Sequence, residues 1–310
     1  MENYIIAIAV SACIYALMSL GMNVIWGMAG MINLGLVGFF AVGAYVSALA
    51  TLKLGVAIPL GMLAGALMAS LVGVGVSLIT ARLRGDYLAI VTLGFSETIR
   101  IYASNEIWLT NGTDGLSGIP GPSRATLGPA EFNLLYLGIV ATVTVVAFVL
   151  AERVCYSPFG RVLRAIRDDE QGAAVAGKPV VMFKVKAFAM SAGALGLAGA
   201  LYGHYTSYIA PDIFVPLLTL YITLALLAGG LGNNRGAVLG AFVVVFFLEA
   251  TRFVTPLVPG LTHVQGAALR EFLIASSLIV ILRFRPRGLI GERLRHVPVP
   301  GAKPQPAGGG

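Results

Sequence analysis

Charge is what this sequence has least of. Asp, Glu, Lys and Arg make up 11% of its 310 residues, hydrophobic residues make up 57%, and mean hydropathy is +0.87. A soluble domain carries roughly 25% charged residues, so the bilayer must serve as solvent for most of this chain. Cysteine is nearly absent. Cys13 lies in an apolar run and Cys155 beside a basic loop, which excludes a disulfide framework or a cysteine metal cluster and leaves both as packing residues. The histidines His204, His263 and His296 are scattered, and neither H-E-x-x-H nor G-x-S-x-G occurs, so no catalytic residue and no metal ligand can be assigned. A phosphate loop is missing too: the Gly177-Lys178 pair is followed by Pro179, so the chain is expected to hold no ATP or other cofactor of its own. The first apolar run, Ile5 to Trp26, lacks the basic start and cleavage site of a signal peptide, and is expected to remain as the first membrane helix. The net charge of +7 does not point to nucleic acid, because the basic residues sit between apolar segments and near the C-terminus, as in loops facing anionic lipid.

What is present is a succession of apolar segments. About 20 apolar residues cross the hydrocarbon core, and on that ruler spans fall near 4–26, 33–51, 57–81, 87–103, 132–151, 185–206, 214–232, 236–255 and 265–282. The expected fold is all-α and polytopic, with about nine transmembrane helices, some interrupted by glycine, in one transmembrane domain over residues 1–296. The linker 152–186 carries Arg153, Arg161, Arg164, Arg167, Lys178, Lys184 and Lys186, and the C-terminal stretch carries Arg283, Arg285, Arg287, Arg293 and Arg295. Both should be cytoplasmic, because Lys and Arg collect on that side. The segment 104–131 has Arg124 as its one basic residue and should lie outside, which places the N-terminus outside and the C-terminus inside. Residues 297–310, rich in Pro and Gly, read as a disordered tail.

Three features stand out. In the linker, Ser157 can cap a helix whose first residue is Pro158; GRVLRAIRDDEQGAAVAG follows, and Gly177 with Pro179 supplies a stop. Leu163 and Ile166 can share a face, and Arg164 and Asp168 are spaced for an ion pair. Such a helix either lies solvated on the membrane or docks a cytoplasmic partner through Arg161, Arg164, Arg167, Asp168 and Glu170. The glycine clusters GMAGMINLG (Gly27 to Gly35) and GGLGNNRG (Gly229 to Gly236) are either breaks lining a cavity or tight helix turns, the turn being the reading for the second. Asn33 in the first cluster is a candidate for a transport path or an interhelical hydrogen bond. Glu97, inside an apolar run, must find a partner, either Arg100 one turn on or a group along a path or subunit seam. Glu249 and Arg252 repeat that arrangement nearer the end of their span.

The segments RGDYLAIVTLGFSETIR, NGTDGLSGIPGP, GRVLRAIRDDEQGAAVAGKP, GLGNNRGAVLGA and RPRGLIG, in this order, resemble the permease subunits of bacterial ABC importers for branched-chain amino acids, in particular the M-type subunit, from about Leu20 to Gly291. The resemblance implies an inner-membrane heterodimer of two related permeases, two ATP-binding subunits below it and a periplasmic substrate-binding protein above. It also implies that the linker inserts into the ATPase, which assigns Gly160, Arg161, Arg164, Ala165, Arg167, Asp168, Glu170 and Gly177 to coupling. Asn111, Gly115, Ser117, Gly118 and Pro120 would lie near the binding protein, with Asn33, Glu97 and Arg100 as path candidates. Related importers carry urea or short amides, and a secondary transporter is the other alternative.

Overall fold

The computed structural model describes residues 2–83, 85–124, 126–254, 263–284 and 288–292. Arg84, Arg285, Arg287, Arg293, Arg295, His296 and the tail 297–310 lie outside them, as do the side chains of Arg252 and His263. Hydrocarbon offers the backbone no partners, so a spanning chain must hydrogen-bond to itself, and the described residues are mostly helix. The helices are α1 (Glu2–Met22), α2 (Leu36–Lys53), α3 (Ile58–Thr80), α4 (Asp86–Asn105), α5 (Ile107–Thr110) and α6 (Pro129–Tyr156). Then follow α7 (Pro158–Asp168), α8 (Glu170–Val175), α9 (Val180–Thr206), α10 (Pro216–Gly229), α11 (Asn234–Val254) and α12 (His263–Phe284). Proline opens α3, α6, α7 and α10 in the first turn, where its missing N–H leaves nothing unsatisfied.

Among the described residues, 7 helices are long and apolar enough to cross a membrane by length and composition. Two more, α4 and α12, have 20 and 22 residues, a sufficient length; in α4 the charged Glu97 and Arg100 interrupt the apolar run. An all-α polytopic membrane protein is therefore what the chain forms. Several boundaries move: the second span starts at Leu36 rather than 33, the fifth extends over Pro129–Tyr156, and the sixth begins at Val180.

The helix α2 lies inside the bundle between α3 and α9, and 72% of its spanning window is buried, against 28% for α3 and 22% for α6. Backbone contact makes this possible. A Cβ on Gly43 of α2 would lie 2.0 Å from the carbonyl oxygen of Gly196 on α9, a separation no side chain tolerates. Leu63, Leu67 and Leu71 of α3, and Val145, Val149 and Leu150 of α6, are exposed apolar side chains suited to lipid or another subunit.

Both glycine clusters interrupt helices. After α1 comes a π-helical turn, Asn23–Met28, and then non-helical backbone to Gly35, with Gly30 at φ 69. The second cluster is a tight turn between α10 and α11: a Cβ on Gly229 would meet the Gly236 carbonyl at 1.9 Å. Residues 288–292 lie along this turn, where the amides of Leu289 and Ile290 donate to Ala228 O at 2.8 Å and Gly229 O at 2.9 Å. The loop after α4 is anchored by two short antiparallel strands, β1 (Leu116–Ser117) and β2 (Tyr208–Ile209), with Leu116 opposite Ile209 and Ser117 opposite Tyr208.

Candidate functional site

The linker begins as its sequence implies. Ser157 Oγ accepts the Gly160 N–H at 3.3 Å, and Gly160, Leu163 and Ile166 are buried on one face of α7. The single helix expected there is instead two, because Asp169 leaves helical geometry at φ −151 and its carboxylate caps α8 by accepting the Gly172 N–H at 3.0 Å. The expected Arg164–Asp168 pair does not form. Arg164 turns back to the end of α6 and donates to Cys155 O at 3.1 Å and to its Sγ at 3.3 Å, a pull that the last carbonyls of a helix exert on cations. Asp168 is held by Arg167 at 3.1 Å.

Arg167 is the centre of this region. Its guanidinium donates to Gly27 O in the π turn at 2.5 Å and pairs with Glu292 beyond α12 at 3.0 Å. Burial opposes its charge, but Glu292 and Asp168 outweigh burial and raise its pKa above the usual arginine value. Its Cγ would lie 2.7 Å from a Cβ on Gly30. Nearby, Lys184 of α9 is 6% exposed and donates to Glu170 of α8 at 2.7 Å. The coupling candidates thus divide: Arg161, Ala165, Asp168 and Gly177 are exposed, Gly160 is buried, and Arg164, Arg167 and Glu170 tie the linker to the bundle.

A second network holds the π turn from the other side. Asn23 donates to Asn234 Oδ1 at 2.8 Å and accepts from the Gly232 amide at 2.9 Å, while Asn234 donates to Glu152 Oε1 at 3.3 Å. Sequence reasoning passed over Asn23, although an asparagine at the end of an apolar span beside a glycine cluster is a readable signal.

The path candidates are not brought together with the linker. Asn33 is buried, and its Oδ1 accepts the Gly35 amide at 2.8 Å, a local turn contact rather than an interhelical one; its Nδ2 has no hydrogen-bond partner among the described residues. Glu97 and Arg100 pair with each other at 2.8 Å on α4. Glu249 accepts a hydrogen bond from Tyr4 of α1 at 2.5 Å.

At the opposite end, Asn111 adopts φ 64 and donates to Gly115 O at 3.0 Å. A Cβ on Gly115 would collide with Ile209 O at 2.2 Å, Ser117 lies in β1, and Gly118 is at φ 75. Pro120 O lies 2.7 Å from His204 Nδ1, and a carbonyl can only accept, so Nδ1 carries the proton. His204 Nε2 then accepts from Ser47 Oγ at 2.9 Å, joining α2, α9 and the loop. That role was hidden in the sequence, where His204 stands between Gly203 and Tyr205 with no motif around it.

The family described as branched-chain amino acid transport system / permease component matches residues 4–282. The chain belongs to this family. Among relatives of the permease, the high-affinity branched-chain amino acid transport system permease protein LivM of Salmonella typhimurium is 30% identical over 310 residues, covering 91% of this chain and 69% of the relative. The probable branched-chain amino acid transport permease protein LivM of Methanocaldococcus jannaschii is 28% identical over 318 residues, covering 90% and 91%. LivH of Salmonella typhimurium, also named a high-affinity branched-chain amino acid permease, is 25% identical over 298 residues, covering 90% and 91%. No solved structure matches it. The permease is thus a multi-pass membrane transport subunit, similar to both LivM and LivH.

Proposed function

We propose that this permease is one of two related membrane subunits of an inner-membrane importer for branched-chain amino acids. ATP is bound by two separate ATPase subunits that dock on the linker, and the chain itself holds no cofactor. A periplasmic binding protein delivers the amino acid on the side of the loop 104–131. The N-terminus is then periplasmic and the C-terminus cytoplasmic, as the basic linker favours. The family match over residues 4–282 carries this reading. The relatives described above are all named for branched-chain amino acid transport, which favours that cargo over urea or short amides and favours an importer over a self-contained secondary transporter.

The exposed Arg161, Ala165 and Asp168 form the face offered to the ATPase, with Gly177 setting the exit of the linker. Gly160 lets α7 sit against the end of α6, where a Cβ would meet Val154 O at 2.3 Å. Arg164, Arg167 and Glu170 pass displacement of the linker to α6, to the π turn of α1 and to α9. At the other end Asn111, Gly115, Ser117, Gly118 and Pro120 form a braced platform for the delivering protein. Asn33, Glu97 and Arg100 are the polar groups offered to the path.

The test is to tag the full chain, solubilise membranes gently, identify what copurifies, and reconstitute it for uptake. Recovery of two ATPases and a second permease, with leucine uptake that requires ATP, is the expected result. Recovery of this chain alone, with uptake that follows a proton gradient and ignores ATP, overturns the reading.

A further inference from the structure

A cavity of about 250 Å³ opens between the linker and the bundle, bordered by the coupling candidates Arg167 and Glu170. Its walls come from four places: Ala29 to Met31 after the π turn, Leu83 and Leu88 around the start of α4, Ile166, Arg167 and Glu170 of the linker, and Lys184 of α9. The volume is below the roughly 300–1,000 Å³ of sites for drug-sized ligands, and so suits a smaller molecule. Its chemistry is mixed in a specific way. Lys184, 6% exposed, presents an ammonium with three donors, of which Glu170 takes one at 2.7 Å. Glu170 supplies a carboxylate beside it, and Met31, Leu83, Leu88 and Ile166 supply an apolar wall.

Arg167 also lines the cavity, but its guanidinium is already engaged by Gly27 O, Asp168 and Glu292. An inorganic anion would meet Lys184 but be repelled by Glu170, and would make no use of the apolar wall. An aliphatic α-amino acid uses all three: its carboxylate accepts from Lys184, its ammonium donates to Glu170, and its side chain packs on the apolar residues. We propose that this cavity binds an aliphatic α-amino acid from the linker side, and that occupancy holds the linker against the bundle and slows transport. The ligand bridges α8 to α9, so it binds better when the linker is docked than when it is displaced, and a ligand shifts an equilibrium by that difference. Accumulated cargo thereby restrains its own import. The inference rests on the importer reading for the cargo and for which side faces the cytoplasm.

The test uses the whole assembly in proteoliposomes loaded with ATP, with or without leucine inside at about ten times the leucine binding constant of the purified assembly. Such a site is about nine-tenths occupied, so initial uptake should fall about tenfold. Leucinamide, which lacks the carboxylate, and 4-methylpentanoate, which lacks the ammonium, should each lower uptake less than about twofold. The ratio of uptake with and without internal leucine should return to near one in Lys184→Met. It should also do so in Ala29→Leu, which fills the cavity and leaves both charges in place. Because each variant is read as a ratio, a lower absolute rate does not confound it. ATP-driven uptake that ignores internal leucine, or that either variant leaves fully inhibited, overturns the inference while leaving the importer reading intact. Equal inhibition by 4-methylpentanoate overturns the amino-acid assignment. If uptake does not depend on ATP, the importer reading fails instead; leucine binding to the purified chain, followed by saturation-transfer NMR in wild type and Ala29→Leu, then decides the cavity alone, and absence of binding overturns it.

Discussion

Arg167→Ala is the substitution that most directly separates ATP hydrolysis from movement through the membrane. It removes the donor to Gly27 O at 2.5 Å and the pair with Glu292 at 3.0 Å, from a side chain that is 18% exposed. Hydrogen bonds that involve a charged group contribute about 1.5–3 kcal/mol each, and stranding a buried partner adds desolvation. Water reaches Glu292, which is 19% exposed, so its share is discounted. The contact with Asp168, 68% exposed, contributes little. The total is about 2–4 kcal/mol, enough at 1.4 kcal/mol per decade for an effect of about 30- to 700-fold wherever it falls in the cycle. The expected result in reconstituted assemblies is leucine uptake lowered at least about tenfold with ATP hydrolysis within about twofold of wild type, so that more ATP is consumed per leucine. Arg167→Lys keeps the charge, but one compact ammonium lacks the spread of the guanidinium fork that reaches Gly27 O and Glu292 from separate nitrogens, so an intermediate ratio is expected. Gly30→Ala should act in the same direction, since its Cβ would press on Arg167 Cγ at 2.7 Å from a residue at φ 69. An Arg167→Ala assembly that imports leucine at the wild-type number per ATP refutes the argument.

Gly43→Leu should abolish recovery of folded protein from detergent, measured by size-exclusion of a fluorescent fusion, because any Cβ there meets Gly196 O at 2.0 Å; Gly75→Leu, whose Cβ would meet no neighbouring element within 4 Å, should not. Asn23→Ala leaves the Gly232 amide and the Asn234 side chain short of a partner, about 1–3 kcal/mol for a stranded buried group, and should lower thermal stability in detergent more than Asn33→Ala, which removes one local bond. Glu97→Gln should impair membrane insertion by leaving Arg100 without its carboxylate partner, against an insertion cost of about 2.5–3.5 kcal/mol for a mid-membrane charge. Adding Arg100→Gln should restore insertion; if the double variant stays defective, the pair has a role beyond mutual neutralisation.

Hydropathy made the crossings legible because their signal is summed over about 20 residues, and a shift of three at an end barely changes the sum. That is why hydropathy starts the second span at 33 while its helix starts at Leu36: the residues between the π turn and Leu36 are apolar enough to read as membrane, and only the glycines betray the break. Ser157 and Pro158 were legible for the opposite reason, since capping is decided within one turn. Asp169 is the same chemistry overlooked. Within DDEQG it reads as helix interior, although an aspartate three residues before an available amide can cap a new helix instead.

The site was less legible because its partners are far apart in sequence. Arg164 and Asp168 have helical spacing and invite pairing, yet Arg164 binds the end of α6 and Asp168 takes Arg167. Nothing local tells Arg167 that Gly27, 140 positions away, will offer a carbonyl. Periodicity identifies which residues can meet on one element; it is silent on contacts that the packing of α1 against α6 and α9 creates.

Those distant contacts bear on how the linker acts. A π turn departs from the regular helical hydrogen-bond ladder, and a buried carbonyl there still needs a donor. Arg167 supplies one to Gly27 O from the linker, and Asn23, in the same turn, is fixed by Gly232 and Asn234 at the α10–α11 turn. Displacing the linker therefore leaves a carbonyl of the π turn unsatisfied, while regularising that turn leaves the guanidinium short of an acceptor. Each change costs about 1–3 kcal/mol if made alone and less if made together. That saving is the size of an ordinary coupling free energy between two sites, so the link between linker position and the break in α1 needs no contact beyond those already present.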